Sequence, residues 1–486
     1  MKAVALTTIA LLTVGCAAKI DQPERPFDVP APPIWTAATA EAPQATVAED
    51  IDWWDYFEDA GLDVAIREAL VHNKDLTAAA ARIERAQAQA RIAGAPLLPD
   101  LGVGLSRTRQ RINFIGLPIP GREDEVISSI NTNIGLSLNL NWEVDVWGKL
   151  KSAQIASLAE VEAVESDFAG ARLSLTGQTA KAWFASIEAR RQLELAESSL
   201  ESFRESAERV RARFELGVRP SLDLRLALTT VDRTEALVAV RKRELDVAVR
   251  QLEILVGKYP AAAYALAQDL PPSPGVVPAG LPSELLHRRP DLIAQERRLL
   301  AADAFVYQAR MNMRPSFILT AALGTATNQL QDLLSGEVFV WSLVAGLTQP
   351  IFNNGRLKAE VSQNQAQARE AAAIYENTAL GAYREVEVAL AADKFLAEQE
   401  AALSSASSQA TKAQALAEER YRTGLTDIIT VLDAQRTAIE SESQWLAVRR
   451  GRLDNRVDLH LALGGSFSSE SLSLADPPPA ATGEKL

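Results

Sequence analysis

The chain has a single cysteine, Cys16, among its 486 residues, and this scarcity excludes an intrachain disulfide. The three histidines, His72, His287 and His460, lie far apart, so we expect no metal site and no bound cofactor. Lys and Arg number 50 against 63 Asp and Glu, a net charge of −13, which disfavours a nucleic-acid partner. We find no nucleophile–base constellation and no phosphate-binding loop in the sequence, so we expect no enzymatic activity.

Long apolar runs are also missing beyond the N-terminus, so the sequence predicts no transmembrane helix in the mature chain. The N-terminus itself has the layout of a signal peptide over residues 1–15: Lys2, an apolar run over 3–14, and Gly15. Leu-Thr-Val-Gly-Cys resembles the bacterial lipobox, which implies cleavage before Cys16 and a covalent lipid on that residue. An ordinary signal peptide with a chance cysteine is the alternative. Ala17, in place of Asp, implies sorting to the outer membrane, and the Pro- and Ala-rich residues up to about 50 predict an extended tether.

The sequence contains an internal repeat. Asp75-Leu76 matches Asp291-Leu292 at an offset of 216 residues, and Gly148-Lys149-Leu150-Lys151 matches Gly355-Arg356-Leu357-Lys358 at an offset of 207. The smaller offset means that the first half carries nine extra residues between its strands, in a Gly- and Pro-containing loop at about 112–129. We therefore predict two repeats with one layout, residues 61–257 and 283–464.

Each repeat contains two segments with the alternation of a β-strand. Residues 131–147 alternate apolar and polar side chains over a longer stretch than is usual in soluble proteins. Segments 101–107, 317–323 and 339–347 follow the same rule. Apolar side chains facing out and polar side chains facing in are typical of a membrane β-barrel. A soluble sheet packed on a core by one face gives the same alternation, so the pattern leaves both open.

Most of the remaining chain is predicted to be helical. Residues 148–216 lack proline and repeat at 355–423, and shorter helices are expected at 61–94, 221–257, 283–313 and 427–463. Apolar residues of the first long helix recur at alternating steps of three and four, which is typical of a coiled-coil seam. The members of this seam are Leu193, Ala196, Leu200, Phe203, Ala207, Val210 and Phe214. The predicted fold class is mainly α, with four strands and long helices in a two-fold repeat.

Four strands from one chain do not close a barrel, and an unpaired strand edge is not viable in lipid. Closure requires further copies of the chain. Two copies would supply eight strands, whose interior fills with side chains, and three would supply twelve, enough to leave a channel. The residues themselves do not choose between these numbers.

Five short segments together resemble the TolC-like outer-membrane efflux family, in its lipoprotein branch. They are Asp52-Trp53-Trp54, Asn141-Trp142-Glu143-Val144-Asp145-Val146-Trp147-Gly148, Arg289-Pro290-Asp291-Leu292, Gln349-Pro350-Ile351-Phe352-Asn353-Asn354-Gly355-Arg356 and Val431-Leu432-Asp433-Ala434-Gln435. The resemblance implies an outer-membrane homotrimer with a large periplasmic portion, whose twelve-stranded β-barrel continues into a twelve-helix α-barrel. It also implies passive export of small molecules, with a periplasmic adaptor and an inner-membrane transporter of the RND type as partners. The segments 16–60, 258–282 and 465–486 would form an equatorial belt.

The resemblance further implies a gate where the helices turn. Asp433 matches a gate aspartate, and three such carboxylates near an axis would repel one another, bind cations and disfavour anions. Thr430 stands where some members carry a second aspartate, Tyr421 matches a gate tyrosine, and Asp223 matches a carboxylate that ties neighbouring helices together. Some members have an arginine just after the glycine of the turn, where this chain has Thr426. For Asp433, helix capping or a solvated face are the alternatives.

The same turns resemble the family's tip motifs, which contact adaptor hairpins. The matching residues are Arg213, Gly217 and Val218, with their repeats Arg420, Gly424 and Leu425. Glycine at a helix end has a structural reason, the left-handed cap, whereas adjacent exposed apolar residues favour docking.

Two functions remain open from the sequence, an export duct and a lipid-anchored periplasmic coiled-coil scaffold or adaptor without a pore. The scaffold accounts for the helices and the lipobox, but not for four amphipathic strands in repeat positions. The exported substrate is not specified by the sequence.

Overall fold

The computed structural model of the chain describes residues 32, 34–37, 52–114, 127–275 and 282–465. They belong to two compact units. The sheet unit contains Glu84–Ala163 and Gln295–Ile374, and the helical unit contains Val164–Ala294 with the described parts of Phe27–Ile83 and Tyr375–Leu486. The expected signal peptide, the lipidation residue Cys16, most of the tether and of the inter-strand loop, and the tail after residue 465 lie outside the described residues.

The sheet unit contains a four-stranded antiparallel sheet in the order β1-β2-β3-β4. The strands are β1 (Asp100–Phe114), β2 (Ile127–Val144), β3 (Ser316–Thr327) and β4 (Phe339–Thr348). All four predicted strands are thus confirmed. The first hairpin is longer than predicted, because β1 continues to Phe114 and β2 begins at Ile127.

The strand register collects the apolar residues on one side of the sheet. Leu101 pairs with Leu140, Leu140 with Ala321, and Ala321 with Leu343. Paired residues share a face and the face alternates along each strand, so this row and the parallel rows two residues away form one apolar face. The apolar face carries Leu101, Val103 and Leu105 of β1, Ile134, Leu136, Leu138, Leu140 and Trp142 of β2, Phe317, Leu319, Ala321 and Leu323 of β3, and Phe339, Trp341, Leu343, Ala345 and Leu347 of β4.

The apolar face is open at both outer strands. Val103 is 76% exposed and Trp341 is 72% exposed. At β1 and β4 the face therefore does not pack on a core within the described part of the same chain, as a soluble one-sided sheet would require. Small and polar residues, among them Gly104, Ser137 and Asn139, predominate on the opposite face of β1 and β2, while β3 and β4 add Ile318, Val340 and Val344 to that face.

Eight α-helices account for most of the other described residues. They are α1 (Ala60–His72), α2 (Lys74–Gly94), α3 (Lys149–Glu215), α4 (Ser221–Leu255), α5 (Pro282–Arg288), α6 (Pro290–Met311), α7 (Arg356–Arg422) and α8 (Ile428–Ala462). The two long helices, α3 and α7, confirm the predicted repeat and have 67 residues each. Among the described helices, none has both the length and the apolar composition needed to cross a membrane.

The predictions for two of the shorter helices were wrong in one respect, since 61–94 and 283–313 are each broken into two helices. The first break is at Asn73, where the side-chain Oδ1 accepts hydrogen bonds from the amides of Asp75 (2.8 Å) and Leu76 (3.2 Å). An asparagine that satisfies free amides in this way starts a new helix, α2. Its Nδ2 also donates to the carbonyl of Leu255 at 3.0 Å, at the end of α4.

The second break is at Arg289, which precedes Pro290, and proline disfavours helical geometry in the preceding residue. The Arg289 guanidinium donates to Asp291 (2.7 Å), to Glu385 (2.7 Å) and to the carbonyl of Ala462 (3.1 Å), the last residue of α8. Asn73 and Arg289 are related by the offset of 216, and Leu255 and Ala462 by the offset of 207. The same joint between a helix break and a helix end therefore occurs in both repeats, with different side chains.

The core of the helical unit is richest in aromatic residues beside the 3₁₀ turn Trp53–Phe57. Trp53, Phe57, Trp183 and Phe184 are almost completely buried there, and the Trp183 indole donates to Asp59 at 2.8 Å. Burying such large rings removes much apolar surface from water and is the main stabilising contribution available to this segment. In the coiled-coil seam of α3, the five residues from Ala196 to Val210 are buried as predicted.

Two non-helical segments pack against the helical unit. The Trp35 ring is 3% exposed and meets Tyr383, while the amides of Thr36 and Ala37 donate to Glu387 at 2.7 and 2.8 Å. The described part of the linker after α4, up to residue 275, contributes Leu270 to the core. Two of the segments expected to form a belt are thus packed against the helical unit at Trp35 and Leu270.

Candidate functional site

The sequence places the gate and the docking motif at the turns from α3 to α4 and from α7 to α8. Both long helices end in a Schellman cap. The amide of Val218 donates to the carbonyl of Arg213 at 2.9 Å, and the amide of Leu425 donates to that of Arg420 at 2.8 Å. Gly217 (φ +73°) and Gly424 (φ +80°) take the left-handed conformation that this cap requires. The two turns are therefore built alike, as the repeat predicts.

Tyr421, in the last turn of α7, lies inside this end of the helical unit. The residue is 2% exposed, and its hydroxyl has no hydrogen-bond partner within the described residues. The Arg213 guanidinium carbon lies 4.4 Å from the centre of the Tyr421 ring, and Arg213 also donates to the Tyr421 carbonyl at 3.2 Å. A cation over an aromatic face, combined with a hydrogen bond to a helix-end carbonyl, ties α3 to α7 at the turn.

A second arginine, Arg219, extends this contact. Its guanidinium carbon lies 5.8 Å from the Tyr421 ring centre, and its Nη1 lies 3.9 Å from the Asp223 carboxylate. Asp223 is 8% exposed. Arg213, Tyr421, Arg219 and Asp223 thus form one continuous set of contacts, which we call the turn cluster.

Arg219 was not among the predicted site residues, although the repeat contained the signal. The offset of 207 relates Arg219 to Thr426, which stands where some family members have an arginine, and relates Asp223 to Thr430. The arginine–carboxylate pair therefore occupies the first repeat of this chain, while the second repeat carries threonine at both positions.

Thr430 has a structural partner instead. The Asp427 carboxylate accepts hydrogen bonds from the amide (2.9 Å) and the hydroxyl (2.8 Å) of Thr430. Asp427 thereby caps the N-terminus of α8. These hydrogen bonds lower the pKa of Asp427. Because Asp427 is the cap, helix capping is not the role of Asp433.

Asp433 lies two turns into α8 with 72% of its side chain exposed. Its carboxylate is 3.4 Å from the Arg436 guanidinium, whose side chain is 58% exposed. Because water reaches both charges, an exposed pair of this kind is weak. Within the described residues, no hydrogen bond or ion pair joins Asp433 to the turn cluster.

The tip residues divide into capping and exposed positions. Arg213 and the two glycines shape the turns, whereas Val218 and Leu425 are 66% and 77% exposed. Leu222 and Ile429, another repeat pair, are also more than half exposed. Two pairs of apolar side chains therefore face solvent in equivalent places at the two turns.

Comparison with known proteins agrees with this architecture. The family model described as outer membrane efflux protein matches residues 65–258 and 281–465. The chain is 33% identical to the pyoverdine export outer membrane protein OpmQ of Pseudomonas putida over 91% of this chain and 93% of that protein. It is 34% identical to outer membrane protein OprJ of Pseudomonas aeruginosa, over 94% of each.

Solved structures give the same result for the fold. The outer membrane channel CmeC of Campylobacter jejuni matches with a TM-score of 0.82 and 26% identity, covering 88% of this chain and 90% of that chain. The MtrE outer membrane channel of Neisseria gonorrhoeae, in its open state, matches with a TM-score of 0.78 and 28% identity, covering 92% and 98%. With the repeat, the four-stranded sheet and the long helices in place, the chain belongs to the outer membrane efflux protein family.

Proposed function

We propose that three copies of this chain form a passive outer-membrane duct, through which small molecules leave the periplasm or an inner-membrane transporter for the exterior. The observation that carries the proposal is the open apolar face of the sheet, together with the unpaired outer edges of β1 and β4 within the described chain. An apolar face exposed to this extent needs lipid or protein to cover it.

The proposed number of copies rests on closure of the sheet together with the trimer that the family resemblance implies. In lipid every backbone donor and acceptor must be paired, so the edge of β4 in one copy would pair with the edge of β1 in the next. Eight strands would fill their own interior with side chains, whereas twelve leave an aqueous channel. The small and polar residues that β1 and β2 carry opposite the apolar face suit the lining of such a channel.

The partners follow from the family. One relative is the outer membrane protein TtgF of a toluene efflux pump, and we propose that this chain likewise joins a periplasmic adaptor and an inner-membrane transporter, of the RND type, that supplies the energy. The adaptor would dock on the exposed apolar residues Val218, Leu222, Leu425 and Ile429. The lipid on Cys16 would anchor the chain in the outer membrane, as the lipobox implies.

The gate proposal concerns the turn cluster and Asp433. The turn cluster would hold α3, α4 and α7 together when the duct is closed. Asp433 would contribute one carboxylate per copy to a ring at the axis, next to the positive charge of Arg436. With both residues present the ring is less acidic than its carboxylates alone would make it.

The decisive experiment measures assembly and conduction. We expect purified full-length protein to run as a heat-resistant trimer and to give single-channel conductance in planar bilayers. A monomer that gives no conductance would instead support the lipid-anchored scaffold. Leu343→Arg, on the apolar face, should strongly reduce outer-membrane insertion, because arginine at the bilayer midplane costs about 2–4 kcal/mol. Ser342→Arg, one residue away on the opposite face, is the matched control and should insert normally.

Ion selectivity tests the gate separately. Asp433→Asn should lower the permeability ratio of cations to anions, and Arg436→Gln should raise it, since each removes one sign of charge from the same ring. Equal ratios in wild type and both variants would place these charges away from the conducting path.

Labelling tests the anchor. Radioactive palmitate should be incorporated by the wild type and not by Cys16→Ser, and the wild type's mature N-terminus should be blocked to sequencing. An unlabelled wild type would mean that the leader is an ordinary signal peptide.

A further inference from the structure

The face of β1 that carries the apolar residues changes character at its outer end. Leu101, Val103 and Leu105 are followed, at the same alternation, by Arg107, Arg109 and Arg111. These three arginines, here called the arginine row, lie on the apolar face because Arg107 pairs with Ile134 and Arg111 with Ile130. Successive members are roughly 7 Å apart along the strand.

Within the described part of the chain, the arginine row has no counter-charge. All three side chains are exposed, and none makes an ion pair with another described residue. The only acidic residues of β1 and β2 are Asp100 and Glu143, both at the opposite end of the hairpin and on the opposite face. In a chain with a net charge of −13, this concentration of positive charge is local and specific.

The position of the arginine row relative to aromatic residues resembles a membrane boundary. Leu105, Leu136, Thr325 and Phe339 lie at one level of the sheet, and Arg107 lies at the next level outward. Phe339 and Trp341, on the neighbouring levels below, are 51% and 72% exposed. Aromatic side chains of a membrane barrel lie where hydrocarbon meets headgroups, and arginine on the lipid-facing side costs least near that boundary.

The arginine row also projects beyond half of the sheet. β3 ends at Thr327, which is level with Ile134 and Arg107, whereas β1 and β2 continue to the pair Phe114 and Ile127. Arg109 and Arg111 are therefore flanked only by β2 among the described strands. They are reachable by a ligand lying against the apolar face.

We infer that the arginine row binds the phosphate groups of an anionic lipid in the outer leaflet of the membrane. Guanidinium groups match phosphate oxygens in bidentate geometry, and the apolar residues directly below offer a surface for the acyl chains of the same molecule. The inference rests on the proposed function in one respect, that the sheet spans the outer membrane with its hairpin end outside.

The test is lipid binding by full-length protein in mixed micelles, measured by native mass spectrometry with bisphosphorylated lipid A, dephosphorylated lipid A and inorganic phosphate as probes. The wild type should retain bisphosphorylated lipid A and bind the dephosphorylated form far more weakly. Replacement of all three arginines by glutamine should lower the affinity by about fivefold per arginine. Replacement by lysine keeps the charge and loses the bidentate geometry, so it should restore only part of the affinity.

Two matched variants locate the effect. Arg109→Gln combined with Gln110→Arg keeps the net charge but moves one charge to the opposite face. This variant should show the loss of lipid affinity expected from removing Arg109 alone. Glutamine at Arg82, Arg233 and Arg243, exposed helical residues, makes the same charge change elsewhere and should leave lipid retention unchanged.

Several results would overturn the inference. Equal retention by the wild type and the triple glutamine variant would do so, as would equally strong binding of inorganic phosphate, which would indicate an unspecific anion site. Glu123, Asp124 and Glu125 stand between β1 and β2 in the sequence, outside the described residues, and the same variants test them as alternative partners. If they pair with the arginine row, the triple variant loses trimer stability and retains the lipid. Conductance of the same samples tests the proposed function independently, so a conducting trimer without phosphate-dependent lipid binding refutes only this inference.

Discussion

Replacing Gly257 by alanine should destabilise the protein much more than the same change at the other helix-end glycines. Gly257 has φ +75°, and a Cβ built there would lie 2.6 Å from the backbone carbonyl oxygen of His72. Both atoms belong to the joint at which the Asn73 side chain meets the end of α4. Because the atom that the new methyl group would meet belongs to the His72 backbone, no flexible side chain can move aside.

The magnitude has two parts. A non-glycine residue in the left-handed region costs roughly 1–2 kcal/mol. Forcing a methyl group into a closely packed place adds typically about 1–3 kcal/mol. Gly257→Ala should therefore lower the free energy of unfolding by roughly 2–5 kcal/mol. At Gly464, in the equivalent joint, the new Cβ would lie 3.2 Å from the Arg288 carbonyl oxygen, so a smaller loss is expected.

Gly217→Ala is the matched control, because φ is +73° there and nothing lies within 4 Å of the added Cβ. Gly217→Ala should lower the free energy of unfolding only by the part that comes from the left-handed backbone conformation. The assay is the urea midpoint of helical circular dichroism for each purified full-length variant in the same detergent. The reasoning is refuted if Gly217→Ala is as damaging as Gly257→Ala, because the contact with His72 would then contribute nothing.

Two further predictions concern the other end of the same helices and the second joint. Val218→Asp combined with Leu425→Asp should abolish co-purification of the adaptor while leaving trimer and conductance intact, because both side chains are exposed in the turns; adaptor binding at the wild-type level would contradict the docking proposal. Arg289→Met should lower the urea midpoint, because it leaves the Ala462 carbonyl unpaired in a buried place, at a cost of about 1–3 kcal/mol; an unchanged midpoint would mean that the second joint is held by other contacts.

Much of this fold could be read from alternation and repetition. Period-two alternation identifies all four strands, since the pleat itself imposes that period. The long helices follow from the absence of proline and from the seam at steps of three and four. The unequal offsets located the extra residues between the strands of the first repeat, because insertions are tolerated where the backbone is not needed for packing.

The helix breaks and Arg219 were missed for different reasons. The break at Arg289 had a local signal, since the next residue is Pro290. The break at Asn73 depends on two roles of one side chain, a cap for α2 and a donor to Leu255, and only the tertiary structure brings Leu255 there. Arg219 required transferring a family position from the second repeat to the first. The roles of Asp433 and of the docking residues depend on other chains, which one sequence does not contain.

His460 provides a pH-dependent prediction about the aromatic core. Its ring stacks on Trp53 and on Tyr56, with centroid distances of 5.6 Å in both cases, and its Nε2 has no hydrogen-bond partner within the described residues. Burial, followed by the positive charge of Arg456, lowers the pKa of His460 to about 4. Arg456 is itself buried and paired with Asp393 at 3.0 Å, so this charge is held in place.

The sign of the effect follows from linkage. Above about pH 6.5 the imidazole is neutral in the folded and the unfolded chain, and its contribution to stability is fully present. As the pH falls, the unfolded chain binds a proton that the folded chain excludes, so stability is lost progressively until the folded pKa of about 4 is reached. The difference between the two pKa values corresponds to roughly 3 kcal/mol.

His460→Phe should keep the stacking and remove this part of the pH dependence, so its urea midpoint should fall less than that of the wild type between about pH 7 and pH 4. His72→Gln is the control, since the His72 side chain is exposed and the substitution should leave the wild-type slope unchanged. If His460→Phe and the wild type lose stability in parallel, His460 takes up its proton in the folded state, and the space between Trp53 and Tyr56 must admit water. The aromatic contact that holds the 3₁₀ turn against α8 would then persist in acid, and the loss of stability would have to come from groups other than His460.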